Sequence, residues 1–369
     1  MALPLDLPLS EIQGLREDVP QGYVTIEATS VTGKDRVVSY LISPLEQVER
    51  LPQELRTVDN VYLLIALESG IPFQSQSTEE NIKFLVEGIE KYLWKKGLAA
   101  WRRVFPSSPE HISFRCTCYR SGENHNFASV DVAKAVGGAI NDKFNWDVKM
   151  KGFDLEVVVN IDVEQVYCTL SLNKVSLFKR NIEHFGPTTL RATICSSLLR
   201  YAEITLGDIV VDPMCGGGSI PLEGALGYSQ GFHLGGEIHE KAIERTRLNL
   251  QASREAQKNN LGIDVCKWDV TQIPLRDNSV DVFVTDLPFG KRSGSRTNNA
   301  MLYPKVMLSM ARVVRPTTGR AVLLTQDRTS IFKALKKINP YWKLTRQSSA
   351  NIGGLTALIF FFKRTSNTL

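Results

Sequence analysis

The chain has 369 residues, 43% of them hydrophobic and 22% charged, with a formal net charge of +5. That length holds two or three domains with real cores, and the small positive surplus permits a polyanionic partner without demanding one. Six scattered cysteines lack the CxxC pairs of a zinc site and are too sparse for a disulfide framework, which favours a reducing compartment over secretion. The opening MALPLDLPLSEIQ is broken by prolines and acids and does not read as a signal peptide. The longest apolar run, near LTALIFFF, falls far short of the ~20 residues that span a bilayer. The expectation is a soluble cytoplasmic protein, with a nuclear pool left open.

The N-terminal half alternates short strands and helices: GYVTIEAT, RVVSYLIS, NVYLLIAL, NIKFLVEGIEKYLWKKG, HISFRCTCYR, VDVAKAVGGAINDKF, LEVVVNI and QVYCTLSL. These fit one or two small α+β layers. A looser segment, NKVSLFKRNIEHFGPTTLR, leads into the second half.

That second half has a clear rhythm. Apolar runs recur at DIVVD, FHLGGE, IDVCKWD, VDVFVTD and RAVLLTQ, and most are separated by helical patterns such as IHEKAIERTRLNLQASREAQ. Strand alternating with helix predicts a parallel sheet covered on both faces. Two last runs, YWKLTRQSSA and LTALIFFFKR, are joined by NIGG, where Gly353 and Gly354 suit a reversal, so an antiparallel pair closes the sheet edge. The fold class is α/β, and a doubly wound sheet ending in such a hairpin resembles the class I (Rossmann-like) methyltransferases.

Four of the five runs end in an acid: Asp212, Glu237, Asp269 and Asp286. In open α/β sheets the ligand lies outside the carboxyl ends of the strands, so four acids there mark a crevice. In IVVDPMCGGGSIPLEGA the first strand runs through Asp212 and Cys215 into Gly216, Gly217 and Gly218, with a helix starting near Ser219. Glycine lets a backbone approach a ligand, and the helix start offers unsatisfied N–H groups. Glu237 stands where a carboxylate meets ribose hydroxyls, bidentately, and Asp269 where one accepts from an adenine amino group. Any one of these acids could be a solvated strand end; their conjunction points to an adenosine-containing ligand.

The stretch VDVFVTDLPFGKR closes the last of these strands on Asp286, Leu287, Pro288 and Phe289. A carboxylate and an adjacent carbonyl, of Asp286 or Leu287, can take the two N–H groups of a planar exocyclic amine and aim its nitrogen at a methyl donor. Pro288 stiffens the turn and Phe289 offers a ring for a base. A base within a helix would have to be flipped out to reach them.

These residues carry a narrower resemblance. RNIEHFGPTTLR, VVDPMCGGGSIPLEGA, WDVTQIPLRDNSVDVFVTDLPFGKR and TGRAVLLTQD resemble the THUMP-domain tRNA guanosine-N2 methyltransferases of eukaryotes. The resemblance implies a partial ferredoxin-like region over 1–72, a THUMP domain over 73–172 and a class I methyltransferase domain over 173–369. It implies S-adenosyl-L-methionine as cofactor, tRNA as substrate with N2-methylguanosine formed in the acceptor-stem region, and a small zinc-binding activator protein as partner. It matches Asp212, Cys215, Gly216, Gly218, Glu237 and Asp269 to cofactor positions, and Thr188, Thr189 and Arg191 to the motif near the cofactor's methionine end. Asp286, Leu287, Pro288 and Phe289 match the catalytic turn.

For the RNA, Arg115 and Arg120 flank a strand where the resemblance begins, and Lys291, Arg292 and Arg296 follow the catalytic turn, placed to meet phosphate. Residues 91–120 hold seven Lys or Arg against one Glu, interleaved with Trp94, Trp101 and Phe105, which suits either an RNA surface or an amphipathic helix with core tryptophans. No histidine or cysteine spacing predicts a metal. Two other readings stay open: the same chemistry on a small nuclear RNA, and a noncatalytic RNA-binding scaffold.

Overall fold

The computed structural model describes residues 45–122, 125–257, 261–290, 296–352 and 355–369, and before them the short strands β1 (Ala2–Pro4), β2 (Val24–Ile26) and β3 (Tyr40–Ile42). The chain divides into two compact units, Met1–Leu177 and Phe178–Leu369.

The first unit continues with α1 (Leu51–Glu54), β4 (Tyr62–Ser69), α2 (Thr78–Gly88), α3 (Trp94–Val104), β5 (Ser113–Arg120), α4 (Ser129–Phe144), β6 (Asp147–Val148), β7 (Leu155–Asp162) and β8 (Gln165–Ser171). Its strands form one mixed sheet in the order β2-β3-β1-β4-β8-β7-β5-β6. Strand β4 pairs antiparallel with β8 from Tyr62↔Ser171 to Ser69↔Gln165, so the sheet runs across the division expected at residue 72. Strand β1, which precedes any strand the sequence suggested, lies between β3 and β4.

Helix α2 begins on a capping box, with Ser77 Oγ accepting from the Glu80 N–H and the Glu80 carboxylate accepting from the Ser77 N–H. On α3, Trp94 and Trp101 are buried in the core while Lys95, Lys96 and Arg103 face solvent. The Trp94 indole donates to the Ile89 carbonyl at 2.8 Å. Of the two readings of this stretch, the structure gives the amphipathic helix: its tryptophans are packed away from any RNA base.

The second unit runs α5 (Ala192–Tyr201), β9 (Ile209–Asp212), α6 (Ser219–Gly227), β10 (Phe232–Glu237), α7 (Glu240–Gln257), β11 (Ile263–Lys267), β12 (Val282–Asp286), α8 (Arg296–Val313), β13 (Arg320–Thr325), α9 (Arg328–Ile338), β14 (Trp342–Ile352) and β15 (Leu355–Arg364). The sheet order is β11-β10-β9-β12-β13-β15-β14. The first five strands are mutually parallel, and β15 lies antiparallel to both β13 and β14. The β14–β15 ladder runs to Ile352↔Leu355; Gly353 and Gly354 themselves lie outside the described residues.

Alternation along the strands builds the two faces of this sheet. Val211, Phe283, Leu323 and Phe360 pack with Tyr303, Met307, Met310, Ile331 and Ala334 of α8 and α9. Val210, Val282, Val284, Val322 and Leu324 pack with Cys195, Leu198 and Leu199 of α5. Chain order reverses at β9, between β10 on one side and β12 on the other, which is the switch point where such sheets open a crevice.

Candidate active site

The glycine turn leaves β9 at Asp212 and enters α6 at Ser219. Gly216 (φ +55) and Gly218 (φ +83) occupy the left-handed region, which glycine enters without a Cβ penalty. The turn is closed from inside: the Met214 N–H donates to Asp212 Oδ1 at 3.1 Å and the Gly218 N–H to the Cys215 carbonyl at 2.8 Å. Helix α7, which carries none of the candidate site residues, holds it from beneath. Thr246 Oγ1 donates to the Gly216 carbonyl at 2.9 Å and Asn249 Nδ2 to the Gly217 carbonyl at 3.0 Å. A Cβ on Gly218 would also lie 2.5 Å from Thr246 Cγ2. Two buried polar residues at helical spacing in LNLQ and its preceding turn were the available signal, but nothing in the sequence names their partners.

Glu237 closes β10 beside the turn, 8% exposed. Its Oε2 accepts from the Gly216 N–H at 3.0 Å, and its Oε1 from the Ile238 and His239 N–H groups at 2.9 Å each. A carboxylate has about four lone-pair sites, so the bidentate ribose contact expected for Glu237 has about one site left to it. Asp269 is exposed and caps the turn after β11, its Oδ1 accepting from the Thr271 N–H and hydroxyl at 2.8 Å each. Next to it, the buried Trp268 indole donates to the Pro213 carbonyl at 3.1 Å. That ring explains FHLGGE: a Cβ on Gly236 would fall 1.6 Å from Trp268 Cε2, and one on Gly235 2.9 Å from Cys215 Sγ.

Asp212 is 3% exposed, and burial pushes its carboxyl up to about 8. The Met214 N–H partly offsets this, while Asp286 and Glu237 add to it. Asp286 keeps some solvent contact, yet the protein packed round it pushes its carboxyl up to about 7. With Phe283 level with Val211, Asp286 projects two residues further toward the crevice than Asp212. Cys215 is buried, and burial beside Asp212 and Glu237 holds its thiol well above the usual range, so it is a neutral packing group.

Beyond Asp286 the turn divides its labour. Leu287 is fully buried in the core formed with α8 and α9, and its N–H donates to the Leu324 carbonyl at 2.9 Å. Phe289 is half-buried against the cluster of Cys195, Leu198 and Val284. The Pro288 carbonyl accepts from Asn299 Nδ2 at 2.7 Å and from the Tyr303 hydroxyl at 2.6 Å, and Tyr303 also bonds Thr325 Oγ1 at 2.7 Å. Asn299 and Tyr303 stand one helical turn apart on α8, both fully buried, and no motif in the sequence singles out either.

Among the residues before α5, Thr188 is exposed and Thr189 Oγ1 accepts from the Gly186 N–H at 2.7 Å. Arg191 caps α5 and lays its guanidinium 4.6 Å from the Phe178 ring centroid. In the first unit, Arg115 is held by Glu156 at 2.7 Å and stacks on Phe153, which leaves its charge largely engaged. Arg120 is exposed and bonds Ser129 Oγ at 3.1 Å. Lys291 and Arg292 lie outside the described residues, as does the side chain of Arg296 at the start of α8. The carboxyl ends of β9, β10 and β12 thus bring together Asp212, Cys215, Gly216, Gly218, Glu237 and the Asp286–Phe289 turn.

Residues 79–173 match the THUMP domain and residues 180–357 the RMKL-like methyltransferase domain. Over 266 residues the chain is 44% identical to tRNA (guanine(6)-N(2))-methyltransferase THUMP3 of Bos taurus, covering 70% of this chain and 53% of that protein. Over 217 residues it is 31% identical to U6 snRNA (guanine-N(2))-methyltransferase THUMPD2 of Homo sapiens, covering 58% of this chain and 41% of that protein. The chain spans about half the length of the curated relatives it matches. Among solved structures, TrmN from Thermus thermophilus superposes with a TM-score of 0.68 at 22% identity over 84% of each chain, which shows a shared fold. No helix among the described residues is long and apolar enough to cross a membrane. The chain belongs to the THUMP-domain family whose catalytic half is an RMKL-like methyltransferase domain.

Proposed function

We propose that this chain is an S-adenosyl-L-methionine-dependent methyltransferase that forms N2-methylguanosine in the acceptor-stem region of tRNA. The observation that carries this reading is Asp286, an acid lifted to about 7 at the mouth of β12, set in DLPFG beside the glycine turn. The 44% identity to a tRNA guanine-N2 methyltransferase supports the substrate class.

The residues present fit the cofactor. Gly216 and Gly218 form a cradle without Cβ atoms, Glu237 keeps an acceptor site for a ribose hydroxyl, and Asp269 keeps its second oxygen clear of its capping bonds. Thr188, Thr189 and Arg191 stand for the methionine end. When bound, S-adenosylmethionine would supply a methyl group on a sulfonium and remain as the neutral thioether S-adenosylhomocysteine. The guanine N2 lone pair forms the new N–C bond, and the nitrogen then sheds one proton.

Asp286 accepts one N–H of the amine before transfer and takes the surplus proton afterwards, a task suited to a carboxyl that titrates near neutrality. Because the Pro288 carbonyl is committed to Asn299 and Tyr303, the carbonyl of Asp286 or Leu287 receives the second N–H. Leu287 acts from the core as an anchor, and the partly exposed side of Phe289 receives the flipped base. Alignment of this kind can contribute ~7–11 kcal/mol to lowering a barrier.

The first unit supplies the RNA grip, with 1–72 a ferredoxin-like piece and 73–172 the THUMP domain; Arg120, and less directly Arg115, contact phosphate there, while Lys291, Arg292 and Arg296 do so beside the target. The activator adds a strand at β11, an edge of the seven-stranded sheet with Asp264, Cys266 and Lys267 exposed. The cytoplasm is the compartment proposed. Nucleoside mass spectrometry of tRNA incubated with cofactor, with and without the activator, tests the reading, with Asp286→Ala as control. Methylation of U6 snRNA in place of tRNA would move the substrate to the class of the second relative. Calorimetry that detects no cofactor binding in either setting would favour a scaffold.

A further inference from the structure

We propose that Asn249 is a positioning residue that locks the glycine turn to the segment carrying Thr188 and Thr189, and so sets the spacing of two walls of the cofactor pocket. This rests on reading that pocket as an S-adenosylmethionine site.

Asn249 lies on α7 and is 1% exposed. A buried primary amide is costly unless its two N–H groups and its acceptor lone pairs all find partners. Here they do, and the partners come from two distant parts of the chain. Nδ2 donates to the Gly217 carbonyl at 3.0 Å and to the His184 carbonyl at 3.2 Å. Oδ1 accepts from the Glu183 N–H at 3.1 Å and the His184 N–H at 2.8 Å. The pairing with His184 runs in both directions, like one rung of a sheet, and the remaining N–H reaches the turn.

The displacement of His184 would not be absorbed before Thr189. The Gly186 N–H donates to Thr189 Oγ1 at 2.7 Å and Thr189 Oγ1 donates to the Gly186 carbonyl at 3.1 Å, which closes residues 186–189 into a tight loop that starts two positions after His184. Upstream, Arg180 and Asn181 are fixed to the buried Glu223 of α6 at 2.7 and 2.9 Å. Thr246 Oγ1 reaches the turn and the Ala242 carbonyl of its own helix, and Glu223 holds the segment at Arg180 and Asn181; Asn249 bonds both the turn and the segment. Its amide also draws the Gly217 carbonyl down toward α7, beneath the cradle.

The test uses the full chain, with the activator present where it copurifies, and compares wild type with Asn249→Ala and Thr246→Val. S-adenosylhomocysteine affinity is measured by calorimetry, and hydrogen exchange is followed in 183–191, 214–218 and, as a control, 320–325 with 355–364. In Asn249→Ala the affinity falls about tenfold, as expected when a bonded buried group is lost from a preformed pocket. Exchange rises in 183–191 and 214–218 together while the control strands keep their protection. In Thr246→Val it rises in 214–218 only. In methylation assays Asn249→Ala raises KM for the cofactor more than it lowers kcat. The proposal is overturned by wild-type affinity in Asn249→Ala, by loss of protection in the control strands as well, or by identical exchange patterns in the two variants. If wild type itself takes up no S-adenosylhomocysteine, the cofactor reading fails, while the exchange patterns still decide whether Asn249 couples the two segments.

Discussion

Asp212 and Asp286 end neighbouring parallel strands at the switch point of the catalytic sheet, and burial holds both carboxyls well above the ordinary range, to about 8 and about 7. Among the described residues neither carboxyl meets a cation, and two acids held this way in a crevice are unfavourable for folding alone. They make sense where a cationic ligand is due to arrive.

The first prediction concerns Asp286. The form that accepts an amine N–H is the carboxylate, so turnover rises with pH along a limb centred at or below about 7, since a bound sulfonium favours the charged form. Asp286→Asn removes that limb and lowers kcat on the order of 10²-fold or more. A profile between about pH 6 and 8 that is the same in both proteins would remove Asp286 from the proton path.

Asp212 bears on stability in the absence of cofactor. Its folded value, about 8, lies above the unfolded one, so the stability it contributes is complete below the unfolded value and is lost as pH rises toward 8. Asp212→Asn keeps the acceptor for the Met214 N–H without the charge. It raises the melting temperature of the cofactor-free protein by ~3 °C or more near pH 8, and by less as pH approaches 4. Thermal scans across that range check the slope; a variant less stable at pH 8 contradicts it.

Gly236 is a steric requirement. With 1.6 Å between its ideal Cβ and the Trp268 ring, Gly236→Ala costs about 3 kcal/mol of stability in the second unit. In the Trp268→Ala background the same change costs far less, because the ring it strikes has gone. Urea unfolding of the four proteins gives the coupling, and additive losses would show that the clash is relieved elsewhere.

Tyr303 and Asn299 hold the Pro288 carbonyl from α8. Tyr303→Phe lowers kcat by roughly 10–10²-fold, since small misplacements of a reacting group are costly, and leaves S-adenosylhomocysteine affinity unchanged. Calorimetry with steady-state methylation separates the two effects. An affinity loss matching the kcat loss would make the pair part of cofactor binding.

Periodicity and local chemistry made much of this protein legible. Apolar runs of the DIVVD and VDVFVTD type have to be buried strands, and acids at their ends have to be exposed to a crevice or neutralised. Three glycines before a largely apolar run turn into a helix, and Ser219 is where it starts. The tryptophans of α3 were ambiguous because a period of 3.6 gives only a buried stripe, and either an RNA or a core can cover it. Contacts between distant segments left no local trace. Asn249 meeting His184 and Gly217, Trp268 requiring Gly236, and Tyr303 gripping Pro288 are set by how helices seat on a twisted sheet, and hydrogen-bond partners across such gaps have no period to read. The same holds for charge: sequence placed Asp212 and Asp286 at strand ends, but only tertiary packing displaced water from around them and lifted their carboxyls, because desolvation depends on everything that surrounds a group in space.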